Sequence, residues 1–206
     1  IIWAKEQFML EYETTARAKG YHAIAGVDEA GRGPLAGPVV AAAVMLAPDL
    51  QFNGLDDSKK LSPKTREKFF LIIKEQALSY GIGIIGVEEI DKINILQASL
   101  LAMKNAVEGL FGKPNLLLID GNQRIDTEIK QWTIVKGDSL SQSIAAASVL
   151  AKVTRDKLME QYHEQFPLYE FNKHKGYGTR LHRDLIRKHG PCPIHRRTFK
   201  GVSEFI

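Results

Sequence analysis

Three apolar stretches of this chain run into a carboxylate with glycine close by. They are Val27-Asp28-Glu29-Ala30-Gly31, Ile119-Asp120-Gly121, and residues 132–135 followed by Lys136-Gly137-Asp138. Short apolar runs bounded by glycine are strand signals, and functional groups in open α/β sheets gather beyond strand ends. Taken singly, each acid fits an ordinary solvated strand end, and Asp138 also fits the N-cap of the helix that follows it. Taken together they favour convergence. Clustered carboxylates repel and desolvate one another unless a cation neutralises them. Mg²⁺ or Mn²⁺, hard ions that take oxygen ligands, suits such a set. Two ions about 3.5–4 Å apart would activate a water and offset charge on the leaving oxygen of a phosphoryl displacement, so no nucleophilic side chain is needed.

The rest of the pattern supplies the sheet. Residues 2–19 read as a charged amphipathic helix stopped by Gly20, and 22–28 as a strand. Residues 39–46 form a second strand, rich in alanine where something packs close. Ser62-Pro63 is an N-cap with proline at the first helical position, opening a helix to about residue 79. Strands follow over 81–87, 115–120 and 132–135, and helices over 90–110, 139–165 and 180–189. Residues 115–135 are too few for a long crossover helix, so the sheet mixes parallel and antiparallel neighbours. The expected architecture is α/β, a mixed five-stranded sheet flanked by helices with a small helical C-terminal portion. Residues 1–20 form an N-terminal helical extension, 21–166 the core, and 167–206 a basic helical portion of the same domain.

Of the 206 residues, 44% are hydrophobic and 25% charged, which excludes a disordered chain or a fibre. The apolar runs at 39–47 and 116–119 are too short to span a membrane. One cysteine, Cys192, excludes an internal disulfide framework and fits a reducing compartment. The opening residues carry no signal-peptide pattern, so a cytoplasmic location is expected. The net charge of +4 is uneven: residues 151–206 hold 12 Lys/Arg against 6 Asp/Glu, with five of the six histidines. A basic quarter on a near-neutral body suggests a polyanion partner, most simply nucleic acid, although a solvated basic helix pair gives the same count.

Other constellations are weaker. Gly31-Arg32-Gly33 follows a strand, but Gly37 falls one place late for a dinucleotide fingerprint, and a strand rather than a helix follows. A glycine loop beside carboxylates lets backbone amides approach a sugar closely; a plain tight turn fits nearly as well. His189, Cys192 and His195 have poor spacing for zinc. Lys59, in Asp57-Ser58-Lys59-Lys60-Leu61, is either a phosphate contact or part of an exposed turn. Tyr177 sits amid basic residues and glycines, where an exposed ring stacks on a sugar or base and a buried one packs on the core.

These blocks, with Ala146-Ala147-Ser148-Val149-Leu150-Ala151-Lys152-Val153-Thr154-Arg155-Asp156 and His174-Lys175-Gly176-Tyr177-Gly178, together resemble the bacterial ribonuclease HII family from about residue 22 to 199. The resemblance implies a ribonuclease H-like fold and cleavage of RNA in RNA–DNA hybrids, including 5′ of single ribonucleotides embedded in duplex DNA; a monomer is expected. It implies Asp28, Glu29, Asp120 and Asp138 as catalytic metal ligands for Mg²⁺ or Mn²⁺. It makes Gly31, Arg32 and Gly33 a loop that senses the ribose 2′-hydroxyl, and Tyr177 a residue that stacks on the next sugar. Lys59, Lys136, Lys152 and Arg155 match basic positions expected to meet phosphates. A protein separates RNA from DNA at one nucleotide only through the 2′-hydroxyl or local A-form shape.

Overall fold

A computed structural model describes residues 9–206. Its elements in chain order are α1 (Glu11–Ala18), β1 (Ile24–Ala30), β2 (Val39–Met45), α2 (Pro63–Gln76), β3 (Ser79–Ile85) and α3 (Val87–Glu108). There follow β4 (Leu116–Asp120), β5 (Lys130–Ile134), α4 (Gln142–Gln165), α5 (Phe171–His174) and α6 (Arg180–His189). The five strands form one sheet in the order β3-β2-β1-β4-β5. β2 pairs antiparallel with β1 and β3, whereas β4 runs parallel to both β1 and β5. The mixed sheet expected from the pattern is therefore present. No described helix is long and apolar enough to cross a membrane.

The alanines of β2 explain how helices close on both faces of the sheet. Side chains alternate along a strand. Val39, Ala41, Ala43 and Met45 pack with Ala98, Ala102 and Ala106 of α3 on one face. Ala42 and Val44 meet Phe69, Phe70 and Ile73 of α2 and the small residues of α4 on the other. Gly26 of β1 lies so close to α4 that a Cβ there would collide with the backbone of Ser143 and Ile144. The contact fixes the height of β1 over α4 two residues before Asp28. Ala16 of α1 joins Ile24, Leu116, Leu118, Ile134 and Ile144, so this helix covers the β1–β4–β5 side.

Several boundaries differ from the sequence reading. The early part of the helix expected over 2–19 lies outside the described residues, and α1 begins only at Glu11. α2 is capped by the Ser62 hydroxyl, as expected, and ends at Gln76. α3 starts three residues early and is two helices merged at Asn94, whose φ is 68°. The Asn94 side chain accepts from the backbone N–H groups of Leu96 and Gln97 and restarts the helix. α4 begins at Gln142, not at 139, because Ser141 supplies the cap to Ile144 and residues 137–139 form a separate 3₁₀ turn. Asp138 is therefore not the N-cap of α4, which removes the capping alternative for that acid.

Candidate active site

Parallel strands end on the same edge of a sheet. Val27 of β1 faces Ile119 of β4, and Asp120 faces Ile134 of β5. Asp28, still paired with Ala42 within β1, Asp120 at the end of β4 and the turn holding Asp138 therefore lie at the same end of the parallel strands. One contact ties Asp120 to the turn and another is local to β1. The Asp120 Oδ1 accepts the Gly137 N–H at 2.7 Å, and the Asp28 Oδ1 accepts the Glu29 N–H at 2.7 Å. β1 alternation sends Asp28 towards α4, where Ser148 hydrogen-bonds it. Ser148 is in turn paired with Ser58 at 2.9 Å. Glu29, on the opposite face, joins Arg32, Asp120, Ser99, Met103 and Asn122 around a shallow groove.

The electrostatics are those of crowded, partly dehydrated acids. Burial, then Glu29 and Asp120, push the Asp28 carboxyl well above the usual carboxylate range. Burial also raises Glu29; Arg32, 3.3 Å away, counters it, and Asp120 adds to it. Asp138 is pushed up to about 6 by burial, Asp57 and Asp120, against the pull of Lys59. The Lys59 ammonium stands 4.0 Å from Asp138. Its own pKa is drawn down by burial but raised overall by Asp57, Asp138, Asp28 and Asp120. Asp57 is thus a fifth acid at the edge of the group, unnoticed in the sequence although its motif was. Among the described residues, no three His, Cys, Asp or Glu side chains already stand at metal-binding spacing, here or at Cys192.

The glycine loop and Tyr177 lie side by side. A Cβ on Gly33 would come within 4.0 Å of the Tyr177 ring, and that ring is 41% exposed. Lys152 Nζ and the Arg155 guanidinium each sit 5.8 Å from its centroid. Lys152 is also paired with Asp156 at 2.7 Å. Lys136 is exposed and adopts a left-handed φ of 60° in the turn before Asp138.

Arg155 corrects the sequence reading. It is fully buried, and its three guanidinium nitrogens donate to the carbonyls of Pro38, Ala36 and Lys175, each at 3.0 Å. With no exposed surface and each guanidinium nitrogen donating to a backbone carbonyl, it is a clamp on the glycine loop and not a phosphate contact. A Cβ at Gly31, whose φ is +102°, would run into it. A second buried clamp escaped the sequence reading altogether. Arg196 donates to the carbonyls of Gly37 at 3.0 Å, Arg32 at 2.9 Å and Gly31. Burial, then the nearby Arg155, lower its pKa to about 9. Nothing in the basic tail singled it out.

Three buried histidines support Tyr177 from behind. A carbonyl only accepts and an amide N–H only donates, which sets the direction of the chain. Cys192 N–H donates to His195 Nδ1 at 2.9 Å. His195 Nε2 donates to His182 Nε2 at 3.0 Å, and His182 Nδ1 donates to the Tyr177 carbonyl at 3.0 Å. His174 stacks on His182 with centroids 4.3 Å apart. Burial lowers His182 to about 3, with His174 adding to it, and lowers His195 to about 4. Both rings are neutral at pH 7, as the relay requires. Burial raises Cys192 to about 11, so it holds its proton.

A mixed sheet in this order, with acids crowded at its parallel tips beside a basic, aromatic rim, defines a ribonuclease H-like nuclease. Residues 25–202 match the model of the ribonuclease HII family. Ribonuclease HII from Syntrophotalea carbinolica is 54% identical over 197 residues, covering 96% of this chain and 94% of its own. That from Endomicrobium trichonymphae is 57% identical over 189 residues, with 91% and 90% covered. The crystal structure of ribonuclease H2 from Pyrococcus horikoshii OT3 superposes with a TM-score of 0.73 at 27% identity, over 88% of this chain and 96% of that one. The crystal structure of Bst-RNase HIII in complex with Mn²⁺ shares the fold, with a TM-score of 0.67 at 18% identity, covering 88% of this chain and 68% of that one. The chain belongs to the ribonuclease HII family, endoribonucleases that act on RNA–DNA hybrids.

Proposed function

We propose that this chain cleaves the phosphodiester 5′ to a ribonucleotide, in hybrids and at single ribonucleotides within duplex DNA, leaving a 3′-hydroxyl and a 5′-phosphate. The observation that carries this reading is the meeting of Asp28, Glu29, Asp120 and Asp138 at one sheet edge, beside the Gly31–Gly33 loop and Tyr177. Crowded carboxylates, among them Asp28, Glu29 and Asp138 whose protonation burial and neighbouring acids favour, are a donor set for a hard divalent cation. Mg²⁺ or Mn²⁺ held by these four would supply an activated water and charge relief at the leaving 3′ oxygen.

The chain's own groups do the positioning. Arg32 and Gly33 offer backbone amides to a 2′-hydroxyl, and the exposed Tyr177 face offers a stacking surface to the following sugar. Lys59, Lys136 and Lys152 lie around the acids and the ring, suited to phosphates that set register without reading sequence. We take the working form to be a cytoplasmic monomer.

The test is a duplex DNA with one embedded ribonucleotide, incubated with Mg²⁺ or Mn²⁺. A single cut 5′ to the ribonucleotide is expected. Intact substrate with both ions, or equal cutting of an all-DNA duplex, overturns the reading.

A further inference from the structure

Two buried arginines hold the same loop, but they hold different parts of it. Arg155 takes the carbonyls of Ala36, Pro38 and Lys175. Arg196 takes those of Gly31 and Arg32, within the stretch that faces Glu29 and Tyr177, and that of Gly37. A trans peptide is planar, with its N–H pointing opposite to its C=O, and this chain has no cis peptide among the described residues. The Gly31 carbonyl shares its plane with the Arg32 N–H, and the Arg32 carbonyl shares its plane with the Gly33 N–H. Pulling both carbonyls inward to one guanidinium therefore turns both N–H groups outward. Arg32 and Gly33 are exposed. Neither N–H is engaged by a hydrogen bond among the described residues, whereas those of Leu35 and Gly37 are spent on Gly176 and Ile194.

We propose that Arg196 is a positioning residue for ribose recognition, aiming the Arg32 and Gly33 amides as a paired donor for the 2′-oxygen. The planar fork of a guanidinium suits this task because it fixes two carbonyls at once, which a single ammonium point charge does not. The loop is kept in register from both sides: Leu35 N–H donates to Gly176 beside Tyr177, and Arg196 N–H donates to Leu35, each at 2.8 Å. Arg196 touches no substrate itself; its charge is spent on the backbone.

This inference rests on the reading of residues 31–33 as the ribose-sensing loop, and one experiment separates the two. Binding is measured in Ca²⁺, with both substrates verified intact, for a duplex carrying one ribonucleotide and for the same duplex as all-DNA. Wild type is expected to prefer the ribonucleotide, and no preference would overturn the sensing loop itself. Arg196→Met is expected to shrink that preference about tenfold, the scale of one to two hydrogen bonds, while leaving all-DNA binding within about twofold. General loosening would weaken both duplexes alike. A folded Arg196→Met with the wild-type preference overturns the proposal. Should that variant fail to fold, Arg196→Lys carries the test: its preference must fall between wild type and none, and an unchanged ratio overturns the proposal equally.

Discussion

Charge is buried in two regions of this molecule, and the two treat it in opposite ways. At the strand tips, Asp28 and Asp138 are dehydrated beside other acids, and their protonation is favoured as a result. Arg155 in α4 and Arg196 in the C-terminal tail are more deeply buried, yet every guanidinium nitrogen has a carbonyl partner. The cations are satisfied by the fold and serve it. The acids keep hydrogen-bond partners but crowd like charges together, a deficit that the proposed divalent cation would relieve. Depth of burial alone would have ranked the arginines first; a carbonyl facing every guanidinium nitrogen, against carboxylates facing one another, separates the two regions.

The sharpest way to break the comparison is Asp120→Asn. It is expected to lower the cleavage rate roughly a thousandfold, the scale of a single active-site electrostatic group, with an unchanged circular dichroism spectrum. Retained turnover would take Asp120 out of the site. Next in size is acid titration of the satisfied region. The His182 and His195 pKa values are depressed to about 3 and about 4, so the unfolded chain binds their protons first. Their contribution to stability is intact above about pH 6.5 and is lost as the pH falls towards 4, at about 2 kcal/mol for each ring by pH 5. Asp28 and Asp138, raised in the fold, gain stability over the same range, so the check is the difference between thermal melt series of wild type and His195→Gln, in which the acids cancel; a difference flat from pH 7 to 5 would contradict the neutral relay.

Arg155→Met strips donors from three carbonyls and is expected to cost about 3 kcal/mol, roughly 10 °C in melting temperature. A melting temperature within a degree of wild type would make that arginine dispensable to the scaffold. The smallest effect has the opposite sign. With chelator present at pH 7, Asp28→Asn should melt a few degrees higher than wild type, because a carboxyl whose folded pKa is raised costs stability once the pH exceeds its unfolded value. Activity should vanish in the same protein. A lower melting temperature would mean that the acid end is as well satisfied as the arginine end.

Much of this was legible in the chain. The acids at 28, 29, 120 and 138 and the strands that carry them follow from apolar runs meeting glycine, because strand ends are local events. The small residues of β2 announced close packing before any partner was known. What stayed hidden was the fate of individual cations. Arg155 lies in a basic block and reads as a phosphate contact, and only the curl of residues 31–38 around it supplies the carbonyls that make it internal. Arg196 depends on the same loop, more than 150 positions earlier. Asp57 joins the acids through a loop whose path no periodicity encodes. His189, Cys192 and His195 offered only poor zinc spacing along the chain; in space His195 is spent on His182, and His182 on a tyrosine carbonyl.

The pairing of β1 with β4 has a kinetic consequence. Asp28 and Asp120 become neighbours only when a strand near residue 117 lands parallel on one near residue 25, a closure of long sequence separation and therefore slow. Until that moment the chain collapses without feeling any repulsion between them. The penalty is confined to the last stage of assembly, so a divalent cation added to the refolding mixture should leave early collapse untouched and act mainly by slowing the escape from the finished sheet.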